Sequence, residues 1–160
     1  MSTNNLQPKA PLESQIEMTE LVLPNDANVL GNVLGGRVMH WIDLAAATAA
    51  HKHCGSICVT AAVESLSFLN PIKVGQLAHL RGRVVYTGNT SLVTKVEVKG
   101  EDMDTGEIKL TSEAYLTFVS LGRDGKPRKV PPLLIHTDEE KAECEKAKAI
   151  RNKSLAIKGM

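Results

Sequence analysis

Arg37-Val38-Met39-His40-Trp41-Ile42-Asp43-Leu44-Ala45-Ala46-Ala47-Thr48-Ala49-Ala50-His51-Lys52-His53 decides the fold, because it is the one long helical pattern in a chain otherwise rich in strand-like runs. Val38, Ile42, Ala45 and Ala49 recur at helical spacing. The alanine runs are strong helix formers. His51, Lys52 and His53 fall in the last turn, where cations suit the negative end of the helix dipole, and Gly55 follows as a C-cap. The alanine-rich face of such a helix lets a sheet approach closely.

Four strand-like runs follow. Ile57 to Phe68 is rich in Val, Thr and Ala and ends at Asn70-Pro71. Leu77 to Thr87 is bounded by Gly75 and Gly88. In Ser91 to Lys99, Val96 and Val98 alternate with Lys95, Glu97 and Lys99, the period of two expected of a half-buried strand. Ile108 to Leu121 is the last. Gly88-Asn89 and Asp104-Thr105-Gly106 are hairpin signals, so neighbouring antiparallel strands are expected. Upstream of the helix, Ile16 to Leu23 reads as a first strand stopped by Pro24, and Pro24 to Gly36 as a loop. Downstream, Thr137 with Glu140 forms a capping-box pattern opening a charged helix from Asp138 to about Lys153. The order predicts an α+β fold: a five-stranded antiparallel sheet around one long helix, with a peripheral C-terminal helix. The expected division is a flexible tail over 1–12, a domain over 13–133 and a helical extension over 134–160. One helix covers only one face of such a sheet, so the other face and the open edges call for self-association.

Composition narrows the function. The chain has 160 residues, with 19 basic and 18 acidic side chains and a formal charge of +1. That balance offers no general attraction for nucleic acid, and 3% aromatic residues leave little for base stacking. Cys54, Cys58 and Cys144 are an odd number without a disulfide framework. Met1 to Pro11 is polar, with no apolar signal core, and no window reaches the length of a membrane span. A reducing, cytoplasmic location is the expectation, with no membrane partner.

Chemistry concentrates in Leu23-Pro24-Asn25-Asp26-Ala27-Asn28-Val29-Leu30-Gly31-Asn32-Val33-Leu34-Gly35-Gly36, which runs directly into the long helix. The Gly35-Gly36 pair leaves backbone N–H groups around Gly36 and Arg37 free to meet a carbonyl oxygen at the positive end of the helix dipole. Asp43 lies seven residues after Gly36, on the same helix face. Between Ile42 and Leu44, its carboxylate is expected to be partly desolvated and therefore more basic.

These blocks, with Cys58-Val59-Thr60-Ala61, Ser67-Phe68-Leu69-Asn70-Pro71-Ile72, Gly88-Asn89-Thr90-Ser91 and Thr117-Phe118-Val119-Ser120-Leu121, resemble the signature of the hotdog-fold acyl-CoA thioesterases. The similarity is to the brain-type acyl-CoA hydrolases and their short bacterial relatives, and it spans roughly residues 16 to 133. The resemblance implies hydrolysis of acyl-CoA to a free acid and coenzyme A. It casts Asp43 as general base or nucleophile, Asn28 as the loop residue that orients thioester or water, and amides near Gly36 as the oxyanion hole. Gly35, Arg37, Phe68, Gly88, Asn89, Thr90 and Ser91 are implied to contact substrate. No metal and no cofactor is needed, coenzyme A being part of substrate and product. In tandem-domain relatives the catalytic Asn and Asp come from different domains, so in this single domain Asn28 and Asp43 are expected to meet across a homodimer, with trimers of dimers beyond that.

Other readings weigh less. Arg81, Arg83, Arg123, Arg128 and Lys129 are unranked candidates for the coenzyme A phosphates. Asn28 and the Gly88–Ser91 turn also read as ordinary turns, and His40 as a helix-surface residue. His51, His53, Cys54 and Cys58 fit no standard zinc spacing. There is no Gly-x-Ser-x-Gly elbow. The alternative function is a non-catalytic acyl-CoA binding or sensing protein on the same fold. A hotdog hydratase would need a catalytic His in a local pattern that is absent here.

Overall fold

Alanine at the helix face and β-branched residues in the strands produce the layers that the sequence implies. The computed structural model describes residues 6–159. In chain order it holds α1 (Pro11–Ser14), β1 (Ile16–Leu21), α2 (Gly35–Cys54), β2 (Cys58–Phe68), β3 (Leu77–Thr87), β4 (Ser91–Glu101), β5 (Ile108–Ser120) and α3 (Asp138–Lys158). The strands form one antiparallel sheet in the order β1-β3-β4-β5-β2. This is a hotdog fold, with α2 against one face of the sheet.

The close approach expected of the alanine face occurs at Gly82 of β3, where a Cβ would stand 3.0 Å from the Ala45 carbonyl oxygen. Only glycine fits there without displacing backbone. Ala45, Ala46 and Ala50 of α2 join Val84, Leu92, Leu116 and Phe118 of the sheet in the main core. Gly55, in the left-handed conformation at φ 65°, ends the helix, and its N–H donates to the His51 carbonyl at 2.8 Å.

Strands β3, β4 and β5 are neighbours in sequence order, joined by the two expected hairpins. The expectation fails at β2, which pairs with β5 at the far edge. Asn70-Pro71 breaks the strand, and the connection after Phe68 is too long and irregular for a hairpin, so the chain crosses to β3 near the opposite edge.

The second face of the sheet is covered more than expected. Val85, Val93 and Tyr115 are buried beneath Ala147 and Ile150 of α3. The Tyr115 hydroxyl donates to Glu143 at 3.0 Å, and Lys95 pairs with the same carboxylate. The C-terminal helix thus supplies part of the cover that was assigned to a partner. Its N-cap is as expected: the Glu140 N–H donates to Thr137 Oγ1 at 3.0 Å. The edge strand β2 stays open and carries exposed Val59 and Val63. Of the expected N-terminal tail, residues 1–5 lie outside the described residues. Lys9 is held: its N–H donates to Pro132 and its carbonyl accepts from Leu134. Among the described residues, no helix is long and apolar enough to cross a membrane.

Candidate active site

The loop before α2 is organised by Asp26, which is only 8% exposed. One carboxylate oxygen accepts the Leu23 N–H at 3.0 Å, the other meets Arg37 Nε at 3.1 Å, and the Asp26 carbonyl accepts the Leu34 N–H at 2.8 Å. Sequence reasoning passed over Asp26. Its signal was an acid three residues after Leu23, placed to cap the turn that Pro24 begins. Arg37, expected to contact substrate, has its guanidinium committed to that loop.

Asn28 is exposed, and its Oδ1 accepts two backbone N–H groups, from Leu30 at 2.9 Å and Asn32 at 3.2 Å. It is therefore a turn residue, although not a left-handed one: the positive φ of 78° is taken by Gly31. With both lone-pair directions of Oδ1 used, the Nδ2 amide is the group left to meet a ligand, and it can only donate.

At the head of α2 the Leu34 carbonyl accepts from both Arg37 and Val38, at 3.0 and 3.1 Å. The Arg37 amide is therefore engaged, contrary to expectation. Gly35 and Gly36 are the amides without a backbone partner among the described residues. A Cβ on Gly36 would meet nothing within 4 Å, and one on Gly35 would lie 3.6 Å from the Phe68 ring. Asn28, Gly35, Val38, Phe68 and Asn70 share the lining of a cavity of about 330 Å³.

Asp43 lines a different cavity. Met39, Ile42, Val63, Leu66, Ala114 and Leu116 form an apolar recess of about 260 Å³, with Asp43 and Thr60 its polar members. Thr60 Oγ1 donates to Asp43 Oδ1 at 2.7 Å. The expected desolvation of Asp43 is not supplied by its own chain: the side chain is exposed, because α2 turns this residue toward the open β2 edge. Thr60 had been read only as part of a strand block. A register shift between Thr60 and Ala62 adds a bulge that re-aims this part of β2. His40, as expected, lies on the helix surface.

Seven residues separate Gly36 from Asp43, about 10 Å along the axis. The free amides at the start of a helix point away from the helix body, hence away from Asp43. A thioester carbonyl bonded to Gly36 thus lies beyond reach of the same chain's carboxylate. Sharing a helix face does not bring the two groups to one substrate.

The Gly88–Ser91 turn is only partly turned inward, and Asn89 is exposed. The Gly88 N–H donates to the Ser91 carbonyl, Ser91 is buried, and the Asn89 carbonyl accepts from Val130. Arg151 of α3 approaches Gly88, its Nη1 standing 3.1 Å from where a Cβ would be, and lies over the Tyr86 ring. That cation was missed because it falls in a helix read as a solvated face. Arg81 is paired with Glu17 on the exposed sheet surface. At the other end of α2, His53 is fully buried and its Nε2 donates to the Pro131 carbonyl at 2.7 Å. Burial pushes its pKa below the ordinary 6.5. Among the described residues, no group of three or more His, Cys, Asp or Glu is placed to hold a metal ion.

The thioesterase superfamily matches this chain over residues 30–107. An uncharacterized acyl-CoA thioester hydrolase of Bacillus subtilis is 38% identical over 128 residues, covering 80% of this chain and 74% of its own. A hexameric acyl-CoA thioesterase of known structure superposes with a TM-score of 0.88 at 40% identity, over 92% of this chain and 94% of that one. An acyl-CoA hydrolase from Staphylococcus aureus, solved in complex with butyryl coenzyme A, coenzyme A and coenzyme A disulfide, superposes with a TM-score of 0.86 at 35% identity, over 94% and 93% of the two chains. The chain therefore belongs to the thioesterase superfamily and is an enzyme of the acyl-CoA thioester hydrolase class. The mammalian relatives are longer: the chain spans 36% of a mouse and 35% of a human cytosolic acyl coenzyme A thioester hydrolase.

Proposed function

We propose that this protein hydrolyses acyl-CoA thioesters at sites shared between two subunits. Each site takes Asn28, Gly35 and Gly36 from one subunit and Asp43 with Thr60 from the other. The observation that carries this reading is the separation of the two groups into different cavities of one chain, with the helix amides aimed away from Asp43. Pairing through the open β2 edge would cover Val59 and Val63, bring the halves together and remove Asp43 from water. Further assembly into a trimer of dimers fits the hexameric relative. Residues 13–133 form the hydrolase domain, and 134–160 a helical extension whose Ala147 and Ile150 pack on the sheet.

In this mechanism the thioester carbonyl accepts from Asn28 Nδ2 and the Gly35 and Gly36 amides. Asp43, held by Thr60, takes a proton from water as the oxygen attacks the carbonyl carbon. The oxyanion collapses, the C–S bond breaks, and the thiolate of coenzyme A receives the proton from Asp43. Direct attack by Asp43 would pass through an anhydride that water then opens. Neither route calls for a metal or an organic cofactor. Phe68 and Asn70 line the approach to the amides, and Arg151, placed against Gly88, joins Arg83 and Arg128 as a candidate phosphate partner. The Staphylococcus hydrolase has been solved as alanine mutants of an aspartate, an asparagine and a threonine, the residue types assigned here. A substrate that is itself a thiol ester, and three unpaired cysteines, suit the reducing cytoplasm.

The test is thiol release from acyl-CoAs of graded chain length by the wild type, Asp43→Asn and Asn28→Ala. Turnover should be present in the wild type and fall at least about a hundredfold in Asp43→Asn, the scale of a lost general base. Binding without turnover would mark an acyl-CoA binding protein instead.

A further inference from the structure

Val29 and Leu30 stand at the tip of the loop that carries Asn28, and the hydrolytic mechanism uses neither. The Gly31 N–H donates to the Asn28 carbonyl at 3.0 Å, which closes a turn with Val29 and Leu30 at its two central positions. Turns favour Pro, Asn, Asp and Gly. These two positions hold branched apolar side chains instead, Val29 at 103% exposure and Leu30 at 79%. The base of the turn is fixed. The Asn28 N–H donates to the Asn32 carbonyl at 2.8 Å, the Val33 N–H to the Ile72 carbonyl at 2.7 Å, and the Val74 N–H to the Gly31 carbonyl at 3.0 Å. A held turn therefore presents an apolar tip to water. The tip lines neither the Asn28 cavity nor the Asp43 recess of its own chain.

The Asp43 recess, for its part, lacks a wall. Ile42, Ala114 and Leu116 are buried, whereas Met39 and Val63 stay 44% and 49% exposed along its open side. The acyl chain of a substrate leaves the same carbonyl carbon that the water held by Asp43 attacks, so its first carbons enter this recess. Asn28 Nδ2 and Asp43 address that thioester from two subunits. Neighbouring Cα atoms are only about 3.8 Å apart. Val29 and Leu30, next in the chain after Asn28, are thus carried to the mouth of the other subunit's recess.

We propose that Val29 and Leu30 of one subunit close the acyl recess of the other, and that with Met39 they set the acyl-chain selectivity. The substrates favoured are unbranched acyl chains long enough to touch this cover, over acetyl. The proposal rests on the shared-site hydrolase reading and adds selectivity to it. Apolar surface on the tip meets apolar surface on the open side, and burying both is favourable in proportion to the area removed from water. The Leu30 N–H already donates to Asn28 Oδ1 at 2.9 Å, so covering the tip strands no donor there.

Thiol release is measured across acyl-CoAs from acetyl to decanoyl. In the wild type kcat/KM should rise as carbons are added. In Val29→Ala with Leu30→Ala, the ratio of the best substrate to acetyl-CoA should fall about tenfold, on the scale of about fourfold for each methylene that loses its cover. Leu30→Met, close in volume, should keep the ratio. The tip is exposed in the single chain, so its truncation spares the fold. Where the double variant loses pairing on size-exclusion chromatography, Leu30→Ala alone carries the same comparison.

The subunit that bears the change decides the rest. Co-expressed Asp43→Asn and Asn28→Ala chains leave one working site in each mixed dimer, its loop from the Asp43→Asn chain and its recess from the Asn28→Ala chain. Val29→Ala with Leu30→Ala should lower the ratio when placed on the Asp43→Asn chain and not when placed on the Asn28→Ala chain. Met39→Ala should do the reverse. A wild type that prefers acetyl-CoA, an unchanged ratio, or the same change from either chain overturns the proposal and leaves the hydrolase reading standing. Mixed oligomers without thiol release sink the shared site, and the proposal with it.

Discussion

Two inactive variants, mixed in one oligomer, should restore activity to about a quarter of the wild-type level, because random pairing makes half the dimers mixed and each mixed dimer rebuilds one of its two sites. The perturbation is co-expression of Asn28→Ala and Asp43→Asn chains carrying different tags. In a mixed dimer one site combines the intact Asn28 loop with the intact Asp43, and the other inherits both defects. Isolation on both tags in turn raises the expected level to about half for separate dimers and leaves it near a quarter for a trimer of dimers, which carries like pairs along. The assignment of residues to half-sites sets the remaining outcomes. Thr60 lines the Asp43 cavity, so Thr60→Ala should complement Asn28→Ala and fail with Asp43→Asn. Gly36→Ala places its methyl in open space in front of the free amide, where the fold tolerates it and a carbonyl does not. It should complement Asp43→Asn and fail with Asn28→Ala. The assay is thiol release, normalised to the doubly tagged species. Doubly tagged oligomers no more active than the two parents, or equal rescue between Gly36→Ala and Asn28→Ala, would refute the shared site.

Other consequences are simpler to measure. Thr60→Ala should lower kcat about 10- to 100-fold, the equivalent of a hydrogen bond to a charged group, and Thr60→Ser should keep most of it, read from initial rates. The folded-state pKa of His53 is lowered by burial, so between that value and the ordinary 6.5 the unfolded chain binds more protons. Stability should therefore drop as pH falls through that window, and urea titrations of His53→Gln should show a shallower drop. Phe118→Ala, emptying a fully buried site in the main core, should destabilise the fold by about 3–5 kcal/mol in the same titration. Glu143→Ala leaves Lys95 and the Tyr115 hydroxyl without their shared acceptor beneath α3. It should cost about 1–3 kcal/mol and raise proteolysis of α3 before that of the sheet.

What was legible in the sequence had local causes. The ends of α2 were marked by Gly35-Gly36 and Gly55, the β4 face by the alternation around Val96 and Val98, and the start of α3 by Thr137 and Glu140. Each signal acts within a few residues of itself. The order of strands was not legible at β2, because nothing in Asn70-Pro71 says which edge the chain crosses to. The candidate site divides in the same way. Asp43, Asn28 and the glycine pair were visible through spacing and resemblance. Thr60 was not, since its bond to Asp43 joins residues seventeen apart. Asp26 was overlooked because a buried acid in a loop announces itself only through the amides it satisfies. The role given to the Arg37 amide failed for a related reason: at the helix start a single carbonyl, Leu34, takes both Arg37 and Val38.

The spacing of Gly36 and Asp43 bears on why such a chain would need a partner at all. A helix offers its free donors only at its first turn, and any carboxylate projecting from its side two turns later lies behind them. Hydrolysis asks for donors and base on opposite sides of one carbonyl, a few ångströms apart. A single straight helix cannot supply both to one substrate, whereas two antiparallel copies can, each head meeting the other's flank. In that arrangement the exposure of Asp43 in the lone chain is a requirement: a carboxylate already buried against its own core would have no face left for the second subunit's loop. Substitutions that disrupt pairing along β2, such as Val59→Asp with Val63→Asp, should therefore abolish turnover and leave the fold of each chain intact. Size-exclusion chromatography and circular dichroism would read this alongside thiol release, and a fully active monomer would defeat it.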